Sequence, residues 1–283
     1  MSAGPFVFLD GQLLKADKAS VSVNNRSFRY GDGCFETMKV VKGKLVLSQL
    51  HMERLFKALQ HLQFDLPGYF TAEYLEDWVI KLVEKNQQQK LARIRLMVFR
   101  GDGGLYDPVN HFPHCLIQTW SLQPAQQAWN ENGLVTDIYR DAVKAVDNFS
   151  ALKHNNYLPY AMAALWVKQQ QLNEAILLNP SGNLADATIH NVWIMQGGVL
   201  KTPALTEGAV DGVMRKFLLQ QFQQAGLPVE TSSISLEMLE QADGLFFTNS
   251  IHGIRWARSC GKTQYSAHLL QELFQDFVAP LWR

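Results

Sequence analysis

Cysteine is scarce in this chain. Its 283 residues hold three, Cys34, Cys115 and Cys260, an odd number, far apart and with no Cys-x-x-Cys pair. A disulfide framework and a cysteine zinc site are therefore not expected, and a reducing compartment fits. Excess charge of either sign is also lacking. Lys plus Arg and Asp plus Glu number 26 each, and the basic residues are scattered, so nothing marks a nucleic acid or an anionic membrane as partner. No apolar run approaches the roughly 18 residues of a membrane span. Residues 1–10 carry neither the basic nor the long apolar segment of a signal peptide. These absences read as a soluble, cytoplasmic protein. Familiar site signatures are missing too: no Gly-x-Ser-x-Gly elbow, no Walker loop, and no His-Glu-x-x-His among the eight histidines, so no metal is expected. Gly31-x-Gly33 lacks the third glycine and the following helix of a dinucleotide fingerprint and reads as a structural turn.

What is present is apolar material: 47% of residues are hydrophobic and 11% aromatic, enough for one large core or two packed ones. Phe6-Val7-Phe8-Leu9, then Asp10-Gly11, then Gln12-Leu13-Leu14 predicts a hairpin on a type I′ turn. A strand is expected over 34–41, and a helix over 48–62 with Ser48 as its N-cap. A second amphipathic helix is expected over 71–85, and strands over 92–99 and 115–119. Strands and two helices make an α+β unit over 1–120. The polar stretch 121–133 reads as a linker, and 134–283 as a C-terminal domain. Within that domain the pattern predicts strands at 134–139, 175–178, 229–232 and 245–248, and a hairpin around Gly197-Gly198. Helices are expected from Lys153 to about 171, at 212–225, at 236–241 and at 267–278.

Five features could carry chemistry. Lys153 sits at a loop-to-helix entry. A lysine is ordinarily a solvated cation, but a desolvated one offers a free amine that attacks carbonyls. The glycine-bearing loop 206–212 leads into Val213-Met214-Arg215, and a helix start of that kind holds phosphate on its backbone N–H groups. Arg54 borders the apolar face of its helix, where it could meet that phosphate or form an ordinary salt bridge. Asp186 lies among Leu184, Ala185, Ala187 and Thr188, as an exposed turn acid or a buried partner for a cation. Thr248-Asn249-Ser250 follows a strand and offers hydroxyls and an amide.

Taken together, Tyr30-Gly31-Asp32-Gly33-Cys34-Phe35-Glu36-Thr37, His51-x-x-Arg54-Leu55, Leu152-Lys153-x-x-Asn156, Gly182-Asn183-Leu184-x-Asp186 with Asn191, and Gly212-Val213-Met214-Arg215 resemble the class IV aminotransferases. These are the pyridoxal phosphate enzymes of fold-type IV. The resemblance implies a two-domain α+β fold of the D-amino acid aminotransferase type, with a smaller N-terminal α/β domain and a larger C-terminal mixed β domain. It implies pyridoxal 5'-phosphate held by Lys153 as a Schiff base, with Lys153 later moving the α-proton. It places the cofactor phosphate on Arg54, Val213, Met214 and Ser250. Where the family carries a Glu against the pyridine nitrogen, Asp186 stands, one methylene shorter. Arg100-Gly101-x-Gly103-Gly104, Thr248-Asn249-Ser250-x-x-Gly253-Ile254 and the Ala279-Pro280-Leu281 tail are similar to the 4-amino-4-deoxychorismate lyases, a subgroup in which Thr37 would assist proton transfer. That activity would yield p-aminobenzoate for folate biosynthesis. A branched-chain or D-amino acid transaminase, or a catalytically degenerate cofactor-binding scaffold, are the alternatives. The resemblance also implies a homodimer acting on a small-molecule amino substrate.

Overall fold

Local turn chemistry starts the chain as expected. In the computed structural model, which describes residues 3–105 and 110–282, strands β1 (Phe6–Leu9) and β2 (Gln12–Lys15) pair across Asp10 and Gly11. Both turn residues have positive φ, 47° and 87°, as a type I′ turn requires. Asn25 caps a short helix α1 (Arg26–Tyr30), which Gly31 ends in the left-handed region. Then follow β3 (Gly33–Val41), β4 (Lys44–Leu45), α2 (Ser48–His61), α3 (Ala72–Lys85), β5 (Leu91–Arg100) and β6 (Pro113–Ser121). Thr71 caps α3 through a bond from Tyr74 N–H. Ser48 does not cap α2. Leu47 stands at that position in a left-handed conformation, and the Ser48 hydroxyl donates to Glu76 instead.

The chain divides into two compact units, residues 1–126 with 152–156 and residues 127–151 with 157–283. In the first, an antiparallel sheet runs β2-β1-β6-β5-β3-β4. Met38 and Val40 of β3, Ile94, Leu96 and Val98 of β5 and Ile117 of β6 face one side, where they form a core with Leu55, Leu59, Leu75, Val79 and Leu82 of α2 and α3. The period-2 alternation of the strands meets the 3.6-residue stripe of each helix.

The second unit contains β7 (Leu134–Tyr139), α4 (Leu158–Gln169), β8 (Glu174–Leu178), β9 (Leu184–Ala187), β10 (Asn191–Gln196) and β11 (Val199–Pro203). It continues with α5 (Val213–Gln224), β12 (Val229–Ser232), α6 (Leu236–Glu240), β13 (Gly244–Asn249), β14 (Gly253–Cys260), β15 (Thr263–Gln264) and α7 (His268–Leu273). The mixed sheet runs β12-β11-β10-β13-β14-β7-β8-β9, with β15 on β14. Helices cover both faces. Ala175 and Leu177 of β8 pack with Tyr160 and Ala163 of α4, while Ile176, Val192, Ile194 and Leu245 form a core with Leu239 of α6. Trp193 meets Phe222 of α5 edge to face. Strands buried on both faces read as continuous apolar runs, as β8 and β13 do. The helix expected from Lys153 begins only at Leu158, with Pro159 in its first turn, a position where the missing N–H costs no bond.

Candidate active site

Strand β3 sends alternate side chains to opposite faces. Cys34, Glu36 and Met38 point toward α2; Phe35 and Thr37 point away. Among the described residues of the first unit Glu36 is the one buried acid, and two residues one turn apart on α2 hold it. His51 Nδ1 lies 2.7 Å from Oε2, and Arg54 donates from Nε to Oε1 at 2.8 Å and from Nη2 to Oε2 at 2.5 Å. Burial would raise the Glu36 carboxyl, but Arg54 and His51 override it and hold it at about 2. Burial depresses His51, so its Nδ1–H serves as a neutral donor. Arg54, expected to meet a phosphate, therefore has Glu36 as a counter-ion within its own unit. A guanidinium has five N–H donors in a fork, so a carboxylate and a phosphate can share one.

Lys153 is placed by backbone pairing. Its carbonyl accepts from Phe35 N–H at 2.9 Å, and Asn155 N–H donates to Gly33 carbonyl at 2.9 Å. The stretch thus lies along the start of β3. Gly33 permits this approach: a Cβ there would meet the Val98 carbonyl at 2.5 Å and Asn155 Nδ2 at 2.7 Å. Lys153 Nζ sits 4.8 Å from the Phe35 ring centroid, and the Arg95 guanidinium carbon lies 3.7 Å from the same centroid. Thr37 shares the strand face of Phe35 and pairs in register with Arg95. The amine and the hydroxyl expected to move protons are thus on one face of the first unit.

In the second unit Asp186 is not a surface turn acid. It is 2% exposed, and three donors converge on it: Asn191 Nδ2 on Oδ1 at 2.8 Å, Tyr160 hydroxyl on Oδ2 at 2.9 Å, and Val210 N–H on Oδ2 at 2.9 Å. Burial pushes its carboxyl up to about 6, against the opposing effects of the Val210 N–H, Lys144, Tyr160 and Asn191. Asn191 also donates to the Val210 carbonyl at 2.8 Å, tying β10 to the loop before α5. Gly212 is the N-cap of α5 and supplies no side-chain acceptor, so the Val213 and Met214 N–H groups present the positive end of a 12-residue helix. A Cβ on Gly212 would lie 1.8 Å from Asn191 Oδ1. Arg215, buried, donates from Nη2 to the Pro203 carbonyl at 2.8 Å and pins the helix start to β11. Ser250 is half-buried in the turn between β13 and β14. Asn249 shapes that turn by accepting from Ile251 and His252 N–H, while Thr248 accepts from Trp193 Nε1 at 3.1 Å.

Sequence reasoning missed Tyr160 and the Glu36–His51–Arg54 cluster. An acid flanked by apolar residues on the same strand face, Cys34 and Met38, was the available signal for Glu36, because a buried carboxylate needs a partner. Nothing local marks Tyr160, whose partner is 26 residues away.

The amino-transferase class IV family matches residues 33–260. An aminodeoxychorismate lyase of Vibrio harveyi is 30% identical over 236 residues, 83% of this chain and 85% of that protein. An aminodeoxychorismate lyase of Bacillus subtilis is 29% identical over 249 residues, 87% of this chain and 83% of the relative. Among solved structures, the branched-chain aminotransferase of Thermoproteus uzoniensis aligns with a TM-score of 0.89 at 23% identity, covering 99% of this chain and 95% of that one. At that identity the likeness establishes the fold. The family match covers most of the chain, and the α+β fold agrees with that of the aligned aminotransferase: the protein belongs to the class IV aminotransferases, pyridoxal phosphate enzymes of fold-type IV.

Proposed function

We propose that this enzyme is a 4-amino-4-deoxychorismate lyase, releasing pyruvate from its substrate to leave p-aminobenzoate for folate biosynthesis. The observation that carries the reading is the similarity, over most of the chain, to aminodeoxychorismate lyases from two organisms. The residues present fit the cofactor. Asp186 is a buried carboxylate with three protein donors, and a carboxylate has about four acceptor sites, so one N–H more can be taken. The uncapped start of α5 suits a phosphate. Lys153 would hold the carbonyl carbon, Asp186 the pyridine nitrogen, and Val213, Met214, Arg54 and Ser250 the phosphate. When bound, the cofactor supplies an electron sink.

The chain's own residues do the rest. The Lys153 amine takes the proton from the ring carbon bearing the substrate nitrogen, and Thr37, on the strand face nearest that amine, helps relay it. The bond between the ring carbon and the ether oxygen then breaks, enolpyruvate leaves with that electron pair and takes up a proton to become pyruvate, and the ring becomes aromatic, which drives the step forward. The Phe35 ring, 4.8 Å from Nζ at its centroid, covers one side of the amine and limits where the substrate can approach it.

The working form is a cytoplasmic homodimer. Leu158, Met162 and Leu165 of α4 are 70%, 44% and 54% exposed at helical spacing, and a helix apolar on both sides normally covers both. Sedimentation of the purified protein checks this. The function is tested by incubating the loaded enzyme with aminodeoxychorismate and measuring p-aminobenzoate and pyruvate, beside a panel of L- and D-amino acids with 2-oxoglutarate. Equimolar p-aminobenzoate and pyruvate are expected. Transamination of the panel without p-aminobenzoate overturns the reading in favour of a transaminase.

A further inference from the structure

Asp186 differs from a lone carboxylate in one respect: a phenol from a different element donates to it. Tyr160, in the first turn of α4, is 5% exposed and stacks on Tyr157 at 4.4 Å between ring centroids. Its hydroxyl reaches Asp186 Oδ2 at 2.9 Å, on the same oxygen that accepts from Val210 N–H. The shorter aspartate stem is thus gripped from α4, from β10 through Asn191, and from the loop before α5. We propose that Tyr160 is a positioning residue for the cofactor, acting through Asp186: its hydroxyl keeps the carboxylate in one rotamer and ionised, as the acceptor for the pyridine nitrogen. This rests on the reading that Asp186 meets that nitrogen.

The surroundings support it. The charged and titratable groups facing Asp186 are Tyr160 itself, with Tyr157 behind it; Lys144, whose ammonium lies 5.9 Å from the Tyr160 ring centroid and donates to the Ser150 carbonyl; and Arg215, which also feels Asp211. Burial, then Asp186 and Tyr157, raises the Tyr160 phenol well above its ordinary value, so it remains a donor throughout the working pH range. With burial already raising Asp186, each donor removed lets the carboxyl keep its proton to higher pH. A protonated Asp186 no longer provides the charge that favours a protonated pyridine ring.

The test is apoprotein titrated with pyridoxal phosphate from pH 5 to 9, following protein fluorescence, in wild type, Tyr160→Phe and Asp186→Asn. A second readout is the ¹⁵N chemical shift of the cofactor ring nitrogen in the same samples. Tyr160→Phe keeps the ring and its packing. Its acid limb of cofactor affinity should move up by about one pH unit, a roughly tenfold weaker binding near pH 6, and merge with wild type at pH 9. The ring-nitrogen signal should shift toward the unprotonated value over the same window. Lost thermal stability with an unmoved acid limb would make Tyr160 merely structural and overturn the proposal. If Asp186→Asn also leaves limb and nitrogen signal unchanged, the carboxylate does not meet the ring, and the underlying reading fails as well. A change in Asp186→Asn alone refutes Tyr160 and leaves that reading standing.

Discussion

Arg54→Ala, at face value a cofactor-binding mutation, should first of all destabilise the fold. Glu36 is 1% exposed and is held by Arg54 and His51. Burial by itself disfavours its charge, so the attraction of Arg54, followed by that of His51, carries the whole net effect. A carboxyl held at about 2 instead of 4.5 makes ionisation worth about 3 kcal/mol more to the folded than to the unfolded chain. This stability is fully present above pH 4.5 and is lost as pH falls toward 2, because the depressed value belongs to the folded state. Without Arg54 the burial cost is left opposed by one neutral imidazole, and breaking a buried pair costs about 3–5 kcal/mol. Urea unfolding of cofactor-free protein at pH 7, followed by tryptophan fluorescence, should show a loss of about 3 kcal/mol. The deficit should narrow between pH 4.5 and 2. Glu36→Gln in the same background should return a substantial part of the loss, since it removes the orphaned charge while nearly keeping the shape. Coincident unfolding curves for Arg54→Ala and wild type, or strict additivity in the double mutant, would refute this account and return Arg54 to a purely phosphate-binding role.

Two further perturbations probe the rest of the site. Lys153→Ala should abolish turnover with little change in unfolding free energy, because the segment is placed by backbone bonds that alanine retains; borohydride reduction and peptide mapping of wild type should put the pyridoxyl label on Lys153, and a label on another lysine refutes it. Gly212→Ala places a methyl group 1.8 Å from Asn191 Oδ1, so either the start of α5 or the Asn191–Asp186 bond must shift, and cofactor affinity should fall by on the order of tenfold or more for a lost charge-assisted bond; an unchanged dissociation constant by fluorescence titration rejects the coupling.

The elements legible in the sequence are those whose causes are local. Asp10-Gly11 supplies two positive-φ residues beside alternating apolar ones, and β1 and β2 follow. Thr71 caps α3 through a bond three residues away. Strand β9 escaped notice because Leu-Ala-Asp-Ala is short, and its pairing with β8 brings its neighbours from elsewhere in the chain. Strand β14 carries Arg255 and Arg258 within Gly253–Cys260, which blurs the apolar signal. Ser48 shows the opposite error. It has the right residue type for a cap, but Glu76, 28 residues on, takes its hydroxyl.

The site divides the same way. Residue type and order alone determined that this chain carries an amine at 153, a carboxylate at 186 and a glycine-opened helix at 213, and these motifs place it in its family. They determined what kind of partner each group needs, because a desolvated charge must find an opposite charge or a donor whatever the fold. Which partner it finds depends on non-local packing. Only the tertiary structure set Arg54 on Glu36 of β3 and laid Lys153 along the start of that strand. Only it turned Asp186 from an acid among small residues into a buried acceptor gripped by Tyr160, Asn191 and Val210. Apart from the Asn191 bond, which spans five residues, these contacts join elements separated in the chain, and strand pairing and helix packing, not sequence neighbourhood, decide which elements meet.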